Sequence, residues 1–262
     1  MKLIKGDKSY SKELIIKNSL EKHIFTGFMI LLAIVYLAIF VRRFEALNSE
    51  SFIILFSMLL GVLLFAFFLW MNKLLNRFLD KKDSNINVAR FGEEGEKKIL
   101  NKLEKILDDN YYVYPNFKIP GRKFDVDFLI IGKKGLIAME VKNSSNLYSF
   151  FEKEALRIKG TGYTQEITKL IGNADPRIKL KNHCKSLDYY LYSIGLRNVK
   201  ARKVLVFVNS SINIEGKSGI YIVKNISGLD KYFESLTNDE RFSPEYCANI
   251  VEKINNSLKK NK

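Results

Sequence analysis

Between Phe124 and Asn143 the chain reads FDVDFLIIGKKGLIAMEVKN, with Asp125, Asp127, Glu140 and Lys142 alternating among Val126, Phe128, Ile137, Met139 and Val141. Strand side chains point to opposite faces at period two, so this pattern predicts two β-strands, Asp125–Ile131 and Leu136–Lys142. The Gly132-Lys133-Lys134-Gly135 segment predicts a tight turn between them. The charged side chains then share one face and the apolar ones the other. Two or three carboxylates and one ammonium gather at one edge of a sheet.

The flanking pattern extends this hairpin into a domain. Ile99, Leu103, Ile106 and Leu107 recur at helical spacing, so 88–108 reads as an amphipathic helix, followed by a β-rich run from Tyr111 to Ile119. The stretch from Phe150 to Ala174 is poorly patterned, whereas Pro176–Ser193 is helical, with Ile178, Leu180, Leu187 and Leu191 as its apolar set. Val204 to Val208 is a continuous apolar strand of the buried kind, and Gly219 to Val223 a shorter one. Helices near Ser227–Leu236 and Pro244–Leu258 close the chain, the second opened by Ser243 as N-cap and Pro244 at the first helical position. This order predicts an α/β domain with a mixed central sheet.

Upstream the pattern changes. Ile24 to Val41 runs eighteen residues and Phe52 to Met71 twenty residues without a charge. As helices each reaches roughly 27 to 30 Å, close to the ~30 Å hydrocarbon core of a bilayer. The second run is apolar all round, with no polar stripe for water, and the first exceeds a signal-peptide core and lacks a cleavage site. Only about ten residues separate them, which predicts an antiparallel transmembrane hairpin. Lysines at 2, 5, 8, 12, 17 and 22 precede it, and Lys73, Arg77, Lys81 and Lys82 follow it. They outvote Arg42 and Arg43 of the connection, so the expectation is a multi-pass cell-membrane protein with both ends cytoplasmic. The expected organisation is a basic segment 1–23, a hairpin 24–71, a linker 72–87 and a domain 88–262.

Composition narrows the chemistry. The chain of 262 residues carries 43 Lys and Arg against 28 Asp and Glu, a formal charge of +15. Ten of those charges are the net balance of residues 85–262, so the excess is not merely juxtamembrane. It favours an anionic partner, nucleic acid or an anionic membrane surface, or else reflects a lysine-rich proteome. Cys184 and Cys247 lack the spacing of a zinc site or a disulfide scaffold, and His23 and His183 are the only histidines. Acid or metal chemistry must therefore run on Asp, Glu and Lys. Carboxylate oxygens suit Mg²⁺ or Mn²⁺, and Asp127 with Glu140 suffices for such an ion. Lys142 would position or help activate a water and neutralise developing charge. These residue types match phosphodiester hydrolysis.

The GxxGE arrangement at Gly92 to Glu96, the aspartate leading Asp127-Phe128-Leu129-Ile130-Ile131, and Glu140-Val141-Lys142-Asn143 together resemble the nuclease-related domain (NERD) family of the PD-(D/E)XK nuclease superfamily. The resemblance spans roughly 89–208. It implies a restriction-endonuclease-like αβββαβ core, a Mg²⁺ (or Mn²⁺) cofactor and DNA as the nucleic-acid partner. It further implies that Asp127, Glu140 and the Val141 carbonyl bind metal, that Lys142 is the catalytic lysine and that Glu96 reaches the site from its helix. Asp125 becomes a same-face neighbour that can support the ligands. The chain departs from the family at Asp175-Pro176-Arg177-Ile178-Lys179, where Asn-Pro followed by Gln is common, and in the lack of a glycine after Asn143. Lys179 and Lys181 are candidate phosphate contacts there. The expected function is a membrane-anchored, metal-dependent nuclease; the alternative is a catalytically silent, membrane-tethered nucleic-acid-binding or scaffolding module of the same fold.

Overall fold

A computed structural model describes residues 1–4, 84–160, 164–209, 211–216 and 219–260, with scattered positions between 16 and 77. The chain divides into two compact units, one of residues 1–11 with 91–262 and one of residues 12–90. Most of the two apolar runs, 24–41 and 52–71, lies outside the described residues. Among the described residues no helix is long and apolar enough to cross a membrane.

The larger unit is built on a six-stranded mixed sheet of order β1-β2-β3-β4-β8-β10. Its strands are β1 (Lys2–Leu3), β2 (Tyr112–Lys118), β3 (Asp125–Gly132), β4 (Gly135–Lys142), β8 (Ala201–Phe207) and β10 (Tyr221–Val223). β2, β3 and β4 form an antiparallel meander, whose β3–β4 turn closes on the Gly132–Gly135 pair. β8 lies parallel to β4 and β10 parallel to β8, as crossover connections through helices require. Both faces are covered. The helix over 84–106 and the helix Gly228–Ser235 pack Ile99, Leu103, Leu229 and Tyr232 against Phe128, Ile130, Ile137 and Met139. Pro176–Ser193 and Pro244–Lys260 pack Leu180, Leu187, Ile250 and Ile254 against Leu129, Leu136, Ala138 and Leu205. Period-two alternation therefore does not divide the hairpin into one apolar and one charged face. Its polar residues are confined to one end of the strands, because both faces of the remainder are sealed by helices.

Two features depart from the sequence pattern. The stretch expected to be unpatterned holds β5 (Leu147–Phe150), β6 (Ala155–Lys159) and β7 (Glu166–Lys169), which join β9 (Ser211–Ile214) in a second sheet of order β7-β6-β5-β9. Tyr148 and Phe150 tie it to the main core, their ring centroids 5.2 and 5.8 Å from that of Phe207. The other departure is β1. Lys2–Leu3 pairs in parallel with Tyr112–Val113, and the Lys2 and Ile4 amides donate to the Tyr111 and Val113 carbonyls at 2.8 and 2.9 Å. Ile4 packs against one core and Met1 against the other, so the first four residues are an integral edge of the sheet.

Candidate active site

The polar ends of β3 and β4 lie where the strand ladders break. Phe128 pairs with Met139, but the register stops there, so Asp127 and Glu140 are not ladder partners. On the other side Pro115 pairs with Phe128 and Phe117 with Val126, while the intervening Asn116 adopts φ 52°. Asparagine tolerates this left-handed conformation better than most residues. The Asp127 carboxylate fills the opening and accepts the Val141 backbone N–H at 2.6 Å. Sequence reasoning expected the Val141 carbonyl at the site; the contact seen is made by its N–H.

Glu140 is the centre of the cluster. It is 1% exposed, and one of its oxygens, Oε1, accepts from both Lys142 Nζ and Lys179 Nζ at 2.6 Å. The other oxygen, Oε2, is buried with no hydrogen-bond partner and faces the equally unpartnered Nδ1 of His183, 4.0 Å away. The His183 ring is held by stacking on Phe124, centroids 4.2 Å apart and planes 8° from parallel. Lys179 and His183 stand four residues apart on Pro176–Ser193, hence on one helix face. Lys181, two residues from each, is exposed. Composition set His183 aside because two histidines cannot make a His-rich centre. The i, i+4 spacing with Lys179 was the available signal.

The start of that helix explains part of the departure from the family pattern. Asp175 caps it, accepting the Arg177 amide at 2.9 Å, and pairs with the Arg177 guanidinium at 2.8 Å. Arg177 also donates to the Phe151 and Glu154 carbonyls and lies over the Phe150 ring at 4.9 Å. A buried guanidinium needs all these partners. Asp175 and Arg177 thus anchor the helix on the second sheet, and Lys179 follows on the site-facing side.

Glu96 arrives from the opposite layer. Gly95 lets its helix approach β4 closely: a Cβ on Gly95 would lie 2.5 Å from Asn143 Cβ. Asn143 donates to the Phe91 carbonyl and accepts from Asn209 Nδ2 at 2.7 Å, joining helix, β4 and the end of β8. Gly92, the other glycine of GxxGE, has open space where its side chain would be, so only Gly95 is sterically required.

The charges in this cluster act on one another. Burial, then repulsion from Asp125, Glu93 and Glu140, pushes the Glu96 carboxyl up to about 7. Burial, then Glu140 and Glu96, raises Asp127 well above the usual carboxylate range. Burial opposes ionisation of Glu140 too, but Lys142 and Lys179 outweigh it and hold the group down at about 2. Burial likewise opposes the Lys142 charge, and Glu140 and Asp127 more than offset it, so Lys142 stays an ammonium. Burial lowers the His183 imidazole below its ordinary value, favouring the neutral ring. Carboxylates that repel one another, beside a buried oxygen without a partner, fit a divalent cation. Among the described residues no group of three or more His, Cys, Asp or Glu forms a cage for a metal ion. Mg²⁺ commonly takes one or two carboxylates and completes its shell with water and substrate oxygens.

The comparison with known proteins falls on this part of the chain. No curated protein matches the sequence. No solved structure matches it either. The segment that carries Glu96, Asp127, Glu140, Lys142, Lys179 and His183 does have a counterpart: residues 91–208 match the family model of the nuclease-related domain, NERD.

Proposed function

We propose that this chain is a membrane-anchored, metal-dependent nuclease that hydrolyses phosphodiester bonds, with DNA as its nucleic acid. The observation that carries the reading is Glu140: a buried carboxylate with two ammonium groups on one oxygen and none on the other, beside Asp127 at a break in two strand ladders. Asp127 and Glu140, with the Val141 carbonyl, would hold Mg²⁺ or Mn²⁺. Such an ion supplies Lewis-acid polarisation of a phosphate and a lowered pKa for a bound water. Lys142, held as an ammonium and 29% exposed, offers positive charge to the phosphate oxygens as negative charge builds on them. Lys179, 34% exposed, offers the same from the helix. Neither acts as a general base while it pairs with Glu140. The basic excess of residues 85–262 would hold the nucleic-acid backbone without reading sequence, so binding should weaken steeply with salt.

Anchoring rests on the apolar runs at 24–41 and 52–71. Its topology draws support from β1: residues 2–3 and 112–113 share a sheet, so chain crossing a bilayer between them must cross an even number of times. A two-span hairpin with both ends cytoplasmic meets that condition.

The second reading, a silent membrane-tethered nucleic-acid-binding module, has one observation in its favour. Lys142 and Lys179 already compensate the buried Glu140 without a cation. The test is cleavage of DNA and RNA by the full chain in detergent, with calorimetric titration of Mg²⁺ and Mn²⁺. The nuclease reading requires metal-dependent cleavage that Lys142→Ala abolishes. Equal behaviour of the two proteins, with no carboxylate-dependent metal binding, would leave the silent module.

A further inference from the structure

Glu140 Oε2 and His183 Nδ1 are both buried polar atoms without a hydrogen-bond partner, and they face each other across 4.0 Å. Among the described residues the only other such side-chain atoms are Arg157 Nε and Tyr190 Oη, so two orphans in one site is a concentrated deficit. Leaving either atom unpaired costs about 1–3 kcal/mol. The gap is too long for a direct hydrogen bond. A divalent ion sits roughly 2 Å from each nitrogen or oxygen donor, so atoms at this separation can share one. His183 is 6% exposed and its ring is fixed by the Phe124 stack, which gives the nitrogen a defined direction.

We infer that His183 Nδ1 is a ligand to the divalent ion at Glu140, and that the site therefore selects a first-row transition ion such as Mn²⁺ over Mg²⁺. The inference deepens the nuclease reading and rests on it. Mg²⁺ takes oxygen ligands almost exclusively, whereas transition ions accept imidazole nitrogen. Lys142 and Lys179 occupy Oε1 alone, which leaves Oε2 to the ion.

The experiment is Mn²⁺ titration of the full chain in detergent, followed by electron spin echo spectroscopy of the bound ion. With only His23 and His183 in the chain, a directly coordinated nitrogen has few possible sources. The expected result is a nitrogen coupling that changes when histidine is ¹⁵N-labelled, persists in His23→Gln and vanishes in His183→Gln. Mn²⁺ affinity should fall roughly tenfold or more in His183→Gln, and the preference over Mg²⁺ should shrink with it. Bound Mn²⁺ with no nitrogen coupling in the wild-type chain would overturn the inference and leave the nuclease reading standing. That measurement requires no substitution, so it decides even if His183→Gln fails to fold. A folded wild-type chain that binds neither ion would overturn both.

Discussion

Gly95 and Asn143 meet so closely that the helix bearing Glu96 can approach β4 only because position 95 has no side chain. This contact brings a carboxylate from one layer of the domain to the strand ends of another. In Gly95→Ala the added methyl overlaps Asn143, and the helix must retreat. We expect a stability loss of about 1–3 kcal/mol by denaturant unfolding, with weaker Mn²⁺ binding because Glu96 retreats too. Gly92→Ala meets open space and should cause neither change.

The two lysines on Glu140 form a unit, and their removal should be non-additive. Lys142→Ala or Lys179→Ala leaves one ammonium on Oε1, whereas the double variant leaves a buried carboxylate uncompensated. The double loss should approach about 3–5 kcal/mol in the absence of metal. Adding Glu140→Gln to it should recover much of that loss. A double variant as stable as either single one would show that Glu140 is compensated from elsewhere.

The pH dependence of the metal-free chain has a defined sign. Glu96 titrates at about 7 when folded against an ordinary 4.5, so the folded state binds more protons across that interval. Its contribution to stability therefore falls as pH rises from 4.5 towards 7. Glu96→Gln should flatten that part of a urea-midpoint profile. Glu140 runs the other way: held at about 2, it stabilises the fold above its ordinary 4.5, and that contribution is lost as pH falls towards 2. Saturating Mn²⁺ should also suppress the loss between 4.5 and 7.

β1 predicts an unusual sensitivity at the start of the chain. Ile4→Pro removes the amide that donates to the Val113 carbonyl and disturbs a partly buried side chain. The lost hydrogen bond alone contributes about 1 kcal/mol. Hydrogen exchange should accelerate along β2, which becomes an unprotected edge. Surface substitution at Lys2, whose backbone pairing is independent of its side chain, should have little effect.

Local pattern alone determined much of this protein. The Gly132–Gly135 hairpin and the strands either side of it follow from turn residues and short-range alternation. The helix Pro176–Ser193 matches its expected bounds, begun by Asp175 and Pro176, and Ser243 caps the last helix by accepting the Tyr246 amide at 3.2 Å. These signals lie within a few residues of what they specify, so no tertiary partner is needed to read them. Asp127, Glu140, Lys142 and Glu96 were likewise recognisable, because their spacing carries the family resemblance.

Tertiary structure decided the rest. β5 pairs with β9 and β1 with β2 across long loops, and no short-range pattern marks either pairing. Lys179 and His183 reach Glu140 while Lys181 does not, because the packing of Leu180, Cys184 and Leu187 sets which side of the helix meets β4. The charge state of the cluster is decided at the same level: one carboxyl is raised to about 7 and another held at about 2 by distances that only folding creates. Sequence spacing named the carboxylates, and the packing of two helices onto one strand end determined which cations and which imidazole face them.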